Sequence, residues 1–256
     1  MPDLKQLRTK KGRDEAELFI IEGEKFIAEI PNDWEITDYL IAQSYKGEIA
    51  GYKQRAECTV VRDSIFNKLA DTVNPQGIIA VCKRKQHTLD SLKSAGFFLL
   101  GENLNDPGNV GTLIRTAAAA GVDGVILTAG SCDVYNPKVL RASTGAAFRM
   151  PIVQDVSLSE IFVFFSAGQK GLSDIPVFAA HPRGNVTPYD INLTGNFCIV
   201  IGNETHGISQ EMAARADMLI TLPMANSTES LNASVAGSIL LYEAVRQRIG
   251  HGLKAD

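Results

Sequence analysis

Cysteine is scarce in this chain, and what there is forms no pairing pattern. The four cysteines in 256 residues, Cys58, Cys82, Cys132 and Cys198, stand far apart with no C-x-x-C pair. That spacing excludes a disulfide framework and a thiolate zinc site. The four histidines are scattered, with no H-E-x-x-H and no acidic cluster beside them, so no metal is expected. No stretch approaches the ~20 apolar residues that cross a bilayer. The start, Met1-Pro2-Asp3-Leu4-Lys5, lacks the basic-then-apolar order of a secretory signal. The expected compartment is the cytoplasm, with no membrane partner. A large excess of one charge is missing too. With 29 acids against 25 Lys+Arg the net charge is -4, which excludes a wholly basic nucleic-acid coat but leaves room for a local basic patch.

What is present is an ordinary globular composition. Hydrophobic residues make up 45% and charged residues 21%, enough for a sizeable core. The length suits one large domain or two small ones. Short β-branched and aromatic runs alternate with helical patterns, which predicts an α/β fold. In the first third strands are expected near Leu18–Ile21, Ile36–Ala42, Thr59–Val61 and Ile78–Lys83. A helix begins at Asp63, read as an N-cap, with Ile65, Phe66 and Leu69 on its buried face. The polar segment 83–91 then interrupts the apolar pattern. The chain divides there, at about residue 93, into units 1–93 and 94–256. The second unit has expected strands near Phe97–Leu100, Gly124–Thr128, Val177–Ala180, Phe197–Ile201 and Met218–Leu222. A last helix over Ser234–Ile249 spaces Val235, Ile239, Tyr242, Val245 and Ile249 for one buried face.

Three loops of the second unit combine special backbone residues with polar side chains, each after an expected strand. Ligands of open α/β sheets bind at the carboxyl ends of strands. The first loop runs from Gly101 to Gly111 into a helix over Thr112–Ala120, with Arg115 about one turn in. It is either an anion site at a helix start or a plain strand-to-helix turn with a surface arginine. No Gly-Lys-Ser/Thr follows, and G-x-G-x-x-G is absent, which speaks against an ATP- or NAD-using enzyme. In the second loop, Ile201 to Gly207, Gly202 permits close backbone approach to a ligand. Glu204 there is either functional or a partner for the helix start near Ser209, and His206 reads as a surface residue. The third loop, Leu222 to Asn232, offers cap chemistry to the last helix. Ala233, Ala236 and Gly237 form a small-residue face, and an interior glycine costs ~1 kcal/mol relative to Ala, so another backbone or subunit is expected close to Gly237.

In order, N-L-N-D-P-G-N-V-G-T-L-I-R-T-A-A-A-A-G, I-V-I-G-N-E-T-H-G-I-S and L-P-M-A-N-S-T-E-S-L-N-A-S-V-A resemble the three motifs of the SpoU (TrmH) family. Members are RNA 2′-O-ribose methyltransferases that use S-adenosylmethionine. The resemblance covers roughly residues 96–250. The start, L-K-Q-L-R-T-K-K-G-R-D-E-A-E-L-F-I-I-E-G, is similar to the small substrate-binding domain that many members carry in front. The resemblance implies a C-terminal domain with a trefoil knot, a rare exception among folds, and a homodimer packed through it. Carried over by motif, Asn109, Arg115, Glu204, Ser230 and Asn232 belong to the catalytic centre. Gly202, Leu222 and Leu231 match positions around the cofactor. Arg115 is implied to orient the ribose phosphate and to relay the hydroxyl proton through it. Asn226 stands where the family usually has Gly, a place where Asn tolerates a left-handed backbone better than most residues. The implied partner is RNA, with rRNA favoured over tRNA. A basic cluster, Lys5, Arg8, Lys10, Lys11 and Arg13, reads on spacing alone as a solvated helix face, and the resemblance makes it the expected RNA-binding surface. The alternative function is a non-catalytic RNA-binding or ribosome-assembly protein of the same fold, against which the intact Asn109, Arg115, Glu204 and Asn232 argue.

Overall fold

The computed structural model describes residues 3–92, 96–166, 175–226 and 230–250. Its first unit is a four-stranded mixed sheet, ordered β1-β4-β2-β3, of β1 (Leu18–Glu22), β2 (Ile36–Ala42), β3 (Glu57–Val61) and β4 (Ile78–Lys83). Helices α1 (Lys10–Ala16), α2 (Glu24–Ile27), α3 (Ala50–Lys53) and α4 (Asp63–Leu69) flank it. Strand β4 reads B-B-B-B-B-e because it is central, with neighbours on both edges and cover on both faces. Asp63 is the first helical residue of α4 and not its cap, because its carboxylate instead accepts from the Ser44 amide at 3.0 Å. Phe66 is buried as expected, but Ile65 points outward, since seven residues give α4 only a narrow inner stripe.

The second unit is a six-stranded parallel sheet, ordered β10-β8-β9-β5-β6-β7. Its strands are β5 (Phe97–Gly101), β6 (Gly124–Thr128), β7 (Ile152–Val156), β8 (Val177–Ala180), β9 (Phe197–Ile201) and β10 (Met218–Ile220). Helices α5 (Pro107–Ala119), α6 (Pro137–Ser143), α7 (Leu158–Ser166), α8 (Gln210–Arg215) and α9 (Ala233–Gly250) complete it. Central β5, β6 and β9 are apolar at nearly every position, the mark of parallel strands covered on both faces. Edge strand β7, missing from the expectation, carries Gln154 and Asp155 among its apolar residues and so hides its period. The expected division at residue 93 falls outside the described residues.

β10 sits in an unusual place. It pairs with β8 on one side, while Thr221 donates to Val186 and Asn185 to Leu219 on the other, at 2.9 and 3.2 Å. The later strand β10 therefore lies between the earlier strand β8 and the segment at Asn185 and Val186 that follows it. Gly184 makes this possible, because a Cβ there would lie 2.6 Å from the carbonyl carbon of Ile220.

One apolar cluster joins the two sheets. Phe19 and Trp34 from the first unit pack against Tyr135 and Phe148 of the second, and Trp34 Nε1 donates to the Phe148 carbonyl at 3.0 Å. Around this aromatic centre lie the ion pairs Lys10–Asp155 at 2.7 Å, Arg13–Asp133 at 2.6 Å and Arg84–Asp14. All four cysteines are free, and burial pushes the thiol of Cys82 up to about 12 and that of Cys198 higher still.

The last helix faces opposite to expectation. Gly237, Leu240, Leu241 and Ala244 are buried, while Val235, Ile239, Tyr242 and Ile249 are exposed and Val245 is half-buried. α9 is apolar on two sides, so its period could not choose which side meets the sheet. The close neighbours expected at Gly237 are this chain's own side chains: a Cβ there would meet Leu113 at 2.4 Å and Ile201 at 3.1 Å.

Candidate active site

Because the second sheet is wholly parallel, the loops after β5, β9 and β10 leave it from one edge. The first loop enters α5 earlier than expected. Asp106 is the N-cap, its carboxylate accepting from the Asn109 amide at 2.8 Å, and Pro107 occupies the first helical turn. Asn109 is thereby fixed at the start of α5 and is buried. In the second loop, Asn203 forms an Asx turn, accepting from the amides of Thr205 and His206 at 2.9 and 3.0 Å. Its amide nitrogen donates to the Asn103 carbonyl at 2.9 Å, tying the first two loops together. Buried Glu102 adds a second tie, accepting from the Ser209 amide at 2.9 Å. Neither Glu102 nor Asn203 was singled out in the sequence; the Asn-x-x-x-Gly spacing of a tight turn was the available signal for Asn203.

Glu204 then bridges the loops. Its carboxylate accepts from the amides of Asn105 and Asp106 at 3.4 and 3.3 Å, and from Asn109 Nδ2 at 2.9 Å. It is not the partner of the helix start near Ser209, which Ser209 caps itself. Asn109 Oδ1 accepts from Asn232 Nδ2 at 2.9 Å, and Asn232 Oδ1 accepts from the amides of Ser234 and Val235 at the start of α9. A single hydrogen-bonded chain, Glu204–Asn109–Asn232, thus joins three loops, the first of them about a hundred residues before the other two. Beside it opens a cleft of about 320 Å³ lined by Gly202, Leu222, Ser230 and Leu231 among others.

Residues 96–242 match the SpoU rRNA Methylase family, and residues 2–80 match the MRM3-like substrate binding domain. The chain belongs to the SpoU rRNA methylase family. Among similar proteins is the 23S rRNA (guanosine(2553)-2′-O)-methyltransferase RlmP of Bacillus subtilis (strain 168), 31% identical over 94% of this chain and 93% of that protein. The solved SpoU methyltransferase AviRb of Streptomyces viridochromogenes, in complex with AdoMet, superposes with a TM-score of 0.88 at 29% identity, covering 96% of this chain and 97% of that one. The AdoMet-bound rRNA methyltransferase of Sinorhizobium meliloti gives a TM-score of 0.82 at 28% identity, covering 99% of this chain and 96% of that one.

Within this SpoU chain all the expected site residues but Arg115 fall into two groups. Asn109, Glu204 and Asn232 are bonded together, and Gly202, Leu222, Ser230 and Leu231 share the cleft. Arg115 stands apart. α5 begins at Pro107, so Arg115 lies about two turns in, ~9 Å along the axis from Asn109. It is exposed and makes no hydrogen bond or ion pair to another described residue. Gly202 differs in what it approaches: a Cβ there would meet the peptide of Gly207 and Ile208 at 2.3 Å, the chain's own turn. Asn226 adopts the left-handed backbone expected of it, at φ 55. Its neighbours Ser227, Thr228 and Glu229 fall outside the described residues. The cleft also takes in His181 and Arg183 from the turn after β8, which the motifs did not mark. The exposed His206 lines it as well.

The basic cluster is split by the fold. Arg13 is 2% exposed and holds Asp133, with its remaining donors on the carbonyls of Leu7 and Arg8, so it is not available to a phosphate. Lys10 pairs with Asp155. Lys5, Arg8 and Lys11 stay exposed, Arg8 donating to the Ala70 carbonyl. Among the described residues no group of three or more His, Cys, Asp or Glu could hold a metal, and no helix is long and apolar enough to cross a membrane.

Proposed function

We propose that this chain transfers the methyl group of S-adenosylmethionine to a ribose 2′-hydroxyl of ribosomal RNA. It works as a homodimer in the cytoplasm, where free thiols such as these four persist. Residues 1–93 capture RNA and residues 94–256 carry out the reaction. The observation that carries this reading is the Glu204–Asn109–Asn232 chain beside the cleft. Relatives named for 23S rRNA favour rRNA as the acceptor.

The cleft fits the cofactor. Its volume lies in the range of small-molecule sites, and apolar Ile201, Leu222 and Leu231 alternate there with the backbone of Gly202 and the hydroxyl of Ser230. S-adenosylmethionine supplies a methyl group already activated by a positive sulfur. What remains for the protein is alignment and removal of one proton, and alignment alone is a large part of the barrier. Gly202, Leu222 and Leu231 hold the cofactor. Glu204 fixes Asn109 and the first loop, Asn109, Ser230 and Asn232 orient the ribose, and Arg115 binds and orients the adjoining phosphate. The test is mapping of 2′-O-methyl sites in rRNA and tRNA with and without the gene. Loss at one rRNA position is expected; an unchanged map alongside no methyl transfer to rRNA in vitro would leave only a binding protein.

Gly202→Val places a branched side chain against the Gly207–Ile208 peptide. It should destabilise the protein by about 1–3 kcal/mol, as overpacking does, and weaken cofactor binding at least tenfold. Calorimetry giving wild-type affinity would remove the turn from the cofactor site.

The outward row on α9 supports the homodimer. Val235 is 46%, Ile239 37% and Tyr242 52% exposed, an apolar row that resumes at Ile249 beyond Arg246 and is of the kind that marks an interface. In a two-fold dimer each substitution acts twice. Ile239→Glu with Tyr242→Glu should yield a monomer by light scattering; a stable dimer would move the interface elsewhere.

A further inference from the structure

A second cavity, of about 440 Å³, lies where the first unit meets α6 and shares no residue with the cofactor cleft. The half-buried ring of Phe26, 5.7 Å from Phe148, forms one wall. Two carboxylates border the cavity, and both are occupied. Glu22 accepts from the amides of Asp71 and Thr72 at 2.6 and 3.3 Å, and Glu29 pairs with Arg149 at 3.1 Å. The groups left for a ligand are therefore donors and cations. Lys25 and the amide of Asn74 have no hydrogen bond or ion pair to any described residue. Gln76 uses its oxygen to accept from Glu24 at 2.8 Å, leaving its NH₂ free.

The exposed Arg8 of the chain start reaches the segment that leads into the cavity wall at Thr72. Arg8 donates to the carbonyl of Ala70, and the next residue, Asp71, pairs with Arg141 on the cavity wall at 2.9 Å. An aromatic face, unpartnered amides and a run of cations beside them are what unpaired RNA uses: bases stack on rings, their edges meet side-chain amides, and phosphates meet Lys and Arg.

We propose that this cavity receives one unpaired nucleotide of the RNA substrate. Its base stacks on Phe26, Asn74 and Gln76 meet the base edge, and the flanking phosphates lie on Lys25 and Arg8. This rests on the reading of the chain as an RNA methyltransferase, and adds where the RNA is gripped away from the reacting ribose.

The test uses the full-length protein and pooled single-stranded oligonucleotides carrying 4-thiouridine, cross-linked by light and mapped by mass spectrometry. Cross-links to Phe26 or to residues 71–76 are expected; cross-links confined to other surfaces overturn the proposal. Phe26→Ala disturbs packing on Phe148, so the exposed pair Lys25→Ala with Asn74→Ala supplies the affinity test. RNA binding should weaken about tenfold and its salt slope become shallower by about 0.7 for the lost phosphate contact, with S-adenosylmethionine affinity and melting temperature unchanged. Wild-type RNA affinity in that variant overturns the site, as does tighter binding of free uridine monophosphate than of the oligonucleotides. Methyl transfer to rRNA is assayed separately. Transfer with no cross-link at the cavity sinks this proposal alone, and cross-links there without transfer to any rRNA sink the activity alone.

Discussion

Arg115→Ala should lower methyl transfer by about 10²–10³-fold, the loss typical of removing one group that stabilises a transition state, while S-adenosylmethionine affinity stays within twofold. The side chain is exposed on α5, does not line the cleft and has no described partner. It has no structural task to lose, so a fall in turnover reports on substrate handling. Lysine should not restore the rate, because a single point charge does not reproduce a planar fork of donors on a phosphate. Single-turnover transfer of tritiated methyl to rRNA, with calorimetry for the cofactor, separates the two effects. More than a few per cent of wild-type rate in Arg115→Ala would take the arginine out of the reaction.

The largest stability effect is expected at Arg13. Its guanidinium and the carboxylate of Asp133 are each 3% exposed, with the closest contact at 2.6 Å. Asp133 also accepts from the Tyr135 amide at 3.1 Å, and Arg13 donates to two carbonyls, so every strong donor direction is used. Removing one member leaves the other buried and unpaired, which costs about 3–5 kcal/mol, a large part of the ~5–15 kcal/mol that holds a typical domain together. Arg13→Ala should therefore shift the urea midpoint strongly downward. Arg13→Met combined with Asp133→Leu should recover much of the loss, because two apolar side chains remove the charge that a single mutant strands. A wild-type midpoint for Arg13→Ala would contradict the pair's structural role. Weakened RNA binding in that variant would reflect lost docking of the first unit, not a lost phosphate contact.

Much of this protein was legible from its sequence. Strands β1, β2, β4, β5, β6, β8 and β9 were foreseen within a residue or so because each is a short, dense apolar run, and burial on both faces requires that run. The three site loops were legible because glycine, proline and asparagine at set places leave few backbone choices, and Asn226 took the left-handed conformation its type permits. The resemblance then supplied the chemistry that no spacing could.

Other features were decided only when distant segments met. α9 has apolar residues on two sides, and periodicity marks a stripe without naming its partner; the sheet took Leu240, Leu241 and Ala244 and left Ile239 and Tyr242 outside. A lysine or arginine in a basic run has the same local sequence whether water or a carboxylate receives it, and Arg13 found Asp133 from far along the chain. Gly184 and Gly202 are glycines because other backbone passes within van der Waals distance, at Ile220 and at Gly207. Local preference acts over a few residues and so settles strands, caps and turns. Which charge is paired, which face is covered and which glycine is crossed depend on contacts between segments that sequence order keeps apart.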